Sequence, residues 1–340
     1  MNQTARLTPA QLNPEFTSSL PPDQREAAQP IFSVEKKRPA PRVWTVFVAL
    51  VSALAIVIFS QVTVAIVMSA WYAVRGVDPA KLGETVMGAL TSVPGFIGIG
   101  LLSQFILGMA GIVPAMLSRQ STLSRLGLNR AKLSGWGYPV VTLGAVLPGA
   151  AGIIAACLLA EVIPPDSSVA ELFGNMTIGW AVPFVLFIAL APGFMEEILF
   201  RGYLQRRLLQ RWNPCFAILV SSSLFALFHI TPHAIALAFI VGIWLGILAW
   251  RTDSIWPGIA CHAFINGSLN VWRLGAMYGA WSATPSLTFS IIAITTVVVC
   301  FAVSVWLMVK ASPKAARSRR PLKPTPSPSG FRFSPAQAAA

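Results

Sequence analysis

In the stretch APGFMEEILFRGYLQRR, residues 191–207, two adjacent carboxylates, Glu196 and Glu197, close an apolar run. Carboxylates beside imidazoles can move protons or ligate a metal. The chain's three histidines, His229, His233 and His262, all fall in the segments that follow. Of twelve acidic residues, ten lie in tails or connections, and only Glu196 and Glu197 belong to an apolar run. An ionisable group in a bilayer interior costs roughly 2.5 kcal/mol or more on insertion scales, so such groups face a protein interior or a water-filled cavity. One shared cavity accounts for the whole set.

Spacing turns these residues into a candidate site. Glu197 and Arg201, Phe225 and His229, and His262 and Asn266 each stand four residues apart, hence on one face of a helix. At 1.5 Å per residue, Glu196 lies roughly 22 Å before Arg211 and His229 roughly 22 Å after Pro214. Counted from Asp253, His262 and Asn266 come at roughly 14 and 20 Å, so three helices bring polar groups to overlapping depth. Each pair has a plainer reading: a structural ion pair, core packing around one satisfied imidazole, an interhelical hydrogen bond. His233, beside Pro232, reads as a boundary residue without a role. Cys261 adjoins His262 but points about 100° away on a helix, which argues against a Cys–His nucleophile.

The elements that must position these groups are membrane helices. The 340 residues are 55% hydrophobic and 11% charged, far from the balance of a soluble domain. Segments 44–68, 86–114, 138–159, 178–200, 214–230, 234–250, 255–272 and 286–308 are each about long enough to cross a hydrocarbon core of roughly 30 Å. The expectation is an all-α, polytopic membrane protein of about eight transmembrane helices in one bundle with a polar intramembrane cavity.

The net charge of +13 would suggest nucleic-acid binding in a soluble protein. Here it must be read loop by loop. Basic residues gather before the first span, in the connection 119–132, after the fourth span and in the tail, while the third connection carries Glu161, Asp166 and Glu171 and no base. That alternation places both termini in the cytoplasm of a cell-membrane protein and leaves no reason to expect nucleic acid as a partner. Tryptophans such as Trp44, Trp136, Trp180 and Trp250 fall at span ends, where an amphipathic ring sits best. The four cysteines lie within spans without CxxC spacing, so neither disulfides nor a zinc knuckle are expected. Residues 1–42 and 311–340, rich in Pro, Ser and Ala, read as disordered cytoplasmic arms around one helical membrane domain, 43–310. The first 42 residues lack the early apolar core of a cleaved signal, so the first span reads as an uncleaved anchor.

The motifs EEILFR, FALFH and HAFIN resemble those of the CPBP intramembrane protease family, which includes CAAX prenyl endopeptidases and bacteriocin-processing or immunity proteins. The family pattern is Glu-Glu-x3-Arg, Phe-x3-His and His-x3-Asn on successive helices, and it is complete here within residues 180–270. The resemblance implies a glutamate-type endopeptidase acting on a membrane-associated peptide or protein substrate in the lipid bilayer. It further implies that Glu196 and His229 activate a water and that His262 with Asn266 stabilises the oxyanion. Glu197, Arg201 and Phe225 then support the site. No cofactor and no metal is expected, since the chain lacks an HExxH helix. Alternatives are a zinc-dependent membrane protease, using the same Glu and His side chains, and a non-catalytic regulator or immunity protein of the same family. Transport would require discontinuous helices and related halves, which the sequence does not display.

Overall fold

The computed structural model describes residues 43–118, 121–165, 168–174, 176–280 and 286–311. The arms 1–42 and 312–340 lie outside the described residues. Helix α1, Trp44–Val74, is apolar on every side and buries only Val46, Leu50 and Ala53, near its start. Between and beyond them Val51, Phe59 and Ile66 stand exposed, a surface that fits lipid rather than water.

The expected span 86–114 is two helices, α2 (Pro79–Thr91) and α3 (Val93–Met116). Ser92 divides them: its backbone is extended and its hydroxyl accepts from the Gly95 amide at 3.3 Å. Pro94 follows in the first turn, where a missing N–H costs nothing, so SVPG starts a helix rather than continuing one. A short α4, Thr122–Leu126, ends at Gly127 with φ of 70°. Helices α5 (Gly137–Gly144) and α6 (Val146–Ala160) together make one span, Gly137–Ala160, and α7 is Ser168–Gly174.

Helix α8, Ile178–Glu197, continues as a π-helical segment, Ile198–Gln205, and a last α turn, α9, Arg206–Leu208. Then come α10 (Pro214–Leu227), α11 (Pro232–Thr252), α12 (Trp256–Met277) and α13 (Leu287–Lys310). Among the described residues six helical stretches are long and apolar enough to cross a membrane, rather than eight. Helix α10, with 14 residues, is about 21 Å long. Helix α12 has 22 residues but carries His262, Asn266, Asn270 and Arg273, which lower its hydropathy. The two that fall short therefore carry Phe225 and His262.

The main buried cluster surrounds the π-helical segment. Ile198, Leu199, Phe200 and Leu204 pack with Phe225 and Ala226 of α10, Ala238 and Ala249 of α11, and Leu107 of α3. Helix α12 lies against α8, close enough that a Cβ on Gly193 would come 3.1 Å from the Ala263 amide. This contact brings Glu196, Glu197 and His262 together.

Candidate active site

Glu197 and Arg201 form a closed charged core, each side chain 0% exposed. Arg201 Nη1 donates to Glu197 Oε1 at 2.6 Å, Nη2 donates to the Gly242 carbonyl at 3.2 Å, and the guanidinium lies 4.1 Å from the centre of the Phe225 ring. One turn further, Gln205 Nε2 donates to the Gly246 carbonyl at 2.8 Å. Residues 201 and 205 thus address carbonyls at 242 and 246, and both acceptors are glycines for a steric reason. A Cβ would lie 3.3 Å from Arg201 Nη2 at Gly242 and 2.7 Å from Gln205 Oε1 at Gly246. Gly258 plays the same part on α12, where a Cβ would lie 3.0 Å from Glu197 Oε2.

The π-helical winding begins just after Glu197 and leaves Phe200 with a carbonyl that accepts from the Ser221 hydroxyl at 3.2 Å. Widened turns of this kind occur frequently at functional sites.

His262 joins the two acids. Its Nδ1 donates to Glu197 Oε1 at 3.1 Å, since a carboxylate can only accept, and its Nε2 lies 3.9 Å from Glu196 Oε2. Glu196 Oε1 accepts from Gln104 Nε2 of α3 at 2.7 Å. Glu196 Oε2 and Gln104 Oε1 are buried with no hydrogen-bond partner among the described residues.

Asn266 owes its place to a proline. Pro192 inside α8 has no N–H, so the carbonyl of Ile188 four residues earlier loses its helical donor. Asn266 Nδ2 donates to that carbonyl at 3.1 Å. The amide group retains a second N–H.

His229 lies beyond the end of α10, which stops at Leu227, so the expected helix 214–230 is shorter than its apolar pattern. The spacing to Phe225 still matters. His229 Nδ1 donates to the Phe225 carbonyl at 3.1 Å, one of the acceptors a helix end leaves open, and the neutral ring therefore keeps a lone pair on Nε2. Ile230 follows with φ of 64°, a strained value for a β-branched residue, and turns the chain sharply into α11.

A cavity of about 940 Å³ is lined by Gln104, Glu196, His229, His233, Asn266 and Arg273, among others. Glu196, His229 and Asn266 thus face one space from three elements. Glu197, Arg201, Phe225 and His262 stand behind it, with His262 only 3% exposed. Phe225 holds the back wall, its ring edge-on to His229 at 5.0 Å and to His262 at 5.7 Å between centroids. Cys261 turns away, its thiol donating to the Val141 carbonyl at 3.3 Å. Among the described residues no three His, Cys, Asp or Glu side chains are arranged to hold a metal ion. Residue spacing alone does not single out Gln104, Gly242, Gly246 or Gly258. Nor does it give a role to His233, which lines the cavity with its Nε2 hydrogen-bonded to the Ile163 carbonyl at 3.0 Å.

Residues 178–268 match the family described as type II CAAX prenyl endopeptidase, Rce1-like. No curated protein and no solved structure matches the chain. The matched segment contains both acids, Arg201, Phe225, His229, His262 and Asn266, and leaves Gln104 outside.

Proposed function

We propose that this chain, whose residues 178–268 belong to the Rce1-like type II CAAX prenyl endopeptidase family, is an intramembrane endopeptidase that hydrolyses membrane-associated proteins or peptides. The observation that carries the proposal is the division between two neighbouring acids. Arg201 and His262 both hold Glu197 through Oε1, away from the cavity. Each acid keeps an Oε2 without a hydrogen-bond partner among the described residues, but only Glu196 lines the cavity, where a substrate can reach it.

In this reading a water between Glu196 and His229 attacks the scissile carbonyl carbon, and its proton passes to Glu196. The new C–O bond leaves an oxyanion. The free N–H of Asn266 donates to it, whereas His262, behind the cavity with Nδ1 spent on Glu197, holds that acid in place. As the tetrahedral intermediate collapses the C–N bond breaks, and Glu196 returns its proton to the leaving amine. The products are a carboxylic acid and an amine, which exchange a proton to leave as carboxylate and ammonium, and the site is restored. The cavity, mostly apolar with a few polar groups, lies within the bilayer, and both termini lie on the cytoplasmic side, which the basic connections favour.

The test is cleavage of a membrane-anchored peptide by the purified, reconstituted protein. Glu196→Gln abolishes cleavage, Asn266→Ala lowers kcat on the order of a hundredfold, and chelators leave the wild type active. Cleavage that survives Glu196→Gln overturns the base. Loss on chelation with recovery on zinc replaces the mechanism with a metal-dependent one, and a wild type that binds a membrane partner but cleaves nothing is a regulator.

A further inference from the structure

Gln104 is an amide in the middle of α3, a helix otherwise built almost entirely from apolar and small residues. It lies outside the matched segment. Its single side-chain hydrogen bond among the described residues runs from Nε2 to Glu196 Oε1 at 2.7 Å, across 92 positions of sequence. An apolar residue would span the bilayer more cheaply.

We infer that Gln104 is a positioning residue that fixes Glu196 Oε1 and so selects Oε2 as the oxygen that takes the proton. An N–H donor within hydrogen-bond distance of a carboxylate occupies one of its two oxygens. Oε1 is thereby fixed, and Oε2 is left for chemistry. Gln104 Oε1, the second uncommitted acceptor beside it, can accept from the same water that Oε2 deprotonates. Two acceptors set that water's orientation. The inference rests on the proposed role of Glu196 as base.

Other charged and titratable groups around Glu196 do not do this job. His262 of α12 stands 3.9 Å from Oε2 and is turned by Nδ1 toward Glu197, while Arg201 is paired with Glu197. His229 and His233 line the cavity with one nitrogen each bonded to a backbone carbonyl, and Arg273 lines it from the far end of α12. Gln104 alone, among the described residues, donates to Glu196.

The experiment reads the hydrogen bond on Glu196 with and without catalysis. Infrared spectra of the full-length protein in bilayers, each taken against its own Glu196→Gln counterpart, give the carboxyl bands of Glu196. Loss of an N–H donor from one oxygen shifts those bands. For Gln104→Met, close in shape but without the donor, the bands shift, and kcat for a membrane-anchored peptide falls roughly tenfold with KM little changed. Where Gln104→Met does not fold, Gln104→Leu is read in the same way. Bands that stay in place overturn the inference, even if activity falls and Glu196 is still required. Bands that shift in a protein that cleaves nothing support Gln104 and sink the protease reading instead.

Discussion

The back of the site and its front are built around the same side chain to opposite ends. Behind, Glu197 meets a guanidinium at 2.6 Å and an imidazole at 3.1 Å, under a glycine whose Cβ would lie 3.0 Å from Oε2. In front, the adjacent Glu196 meets an uncharged amide at 2.7 Å and lines a cavity of about 940 Å³. The contrast separates two uses of a buried carboxylate. One paired with charge and shut away from the cavity holds three helices in register, and one that faces the cavity with a neutral partner is available to react.

The largest way to break the contrast is to open the back. Arg201→Met leaves Glu197 uncompensated in a fully buried place, at a cost of about 3–5 kcal/mol. A steep loss of folded yield or thermal midpoint in detergent is the expected reading. Adding Glu197→Gln to the same chain should recover part of it, because two members of one ion pair are not additive. If both single variants melt with the wild type, the back of the site is not structural.

A smaller change sharpens the same point. Gly258→Ala places a methyl carbon 3.0 Å from Glu197 Oε2. Overpacking of this kind costs about 1–3 kcal/mol, read as a lowered midpoint, with His262 displaced along with its partner. An alanine variant that melts and cleaves as the wild type does would show that α12 has slack there.

Much of this arrangement is legible in the amino-acid sequence. All the expected spans are helical at their cores, and the four-residue spacings bring Glu197 to Arg201 and Phe225 to His229. What is not legible comes from interactions across the bundle or from local backbone geometry. Hydropathy runs unbroken through Ser92, although Ser and Pro two residues apart are a helix-start signal. The π-helical winding at Ile198–Gln205 has no period that a 3.6-residue count detects. The apolar pattern continues through Phe228 and Ile230 and so puts His229 on a helix that in fact ends two residues before it. Gln104 is uncharged and does not stand out among ionisable groups, yet a lone amide in an apolar span carries its own cost and signals a partner on another helix. The glycines at 242, 246 and 258 acquire meaning only once the Arg201, Gln205 and Glu197 side chains are seen against them.

The central claim is that adjacent acids divide chemistry from architecture, and one paired measurement addresses it directly. Glu196→Gln and Glu197→Gln are prepared side by side, and for each the thermal midpoint and the cleavage rate of a membrane-anchored peptide are determined on the same reconstituted sample. The account predicts that Glu196→Gln melts with the wild type and cleaves nothing. Glu197→Gln melts well below it, and the fraction that remains folded still cleaves. The reverse pattern, a stable inert Glu197→Gln and an unstable active Glu196→Gln, would contradict the assignment.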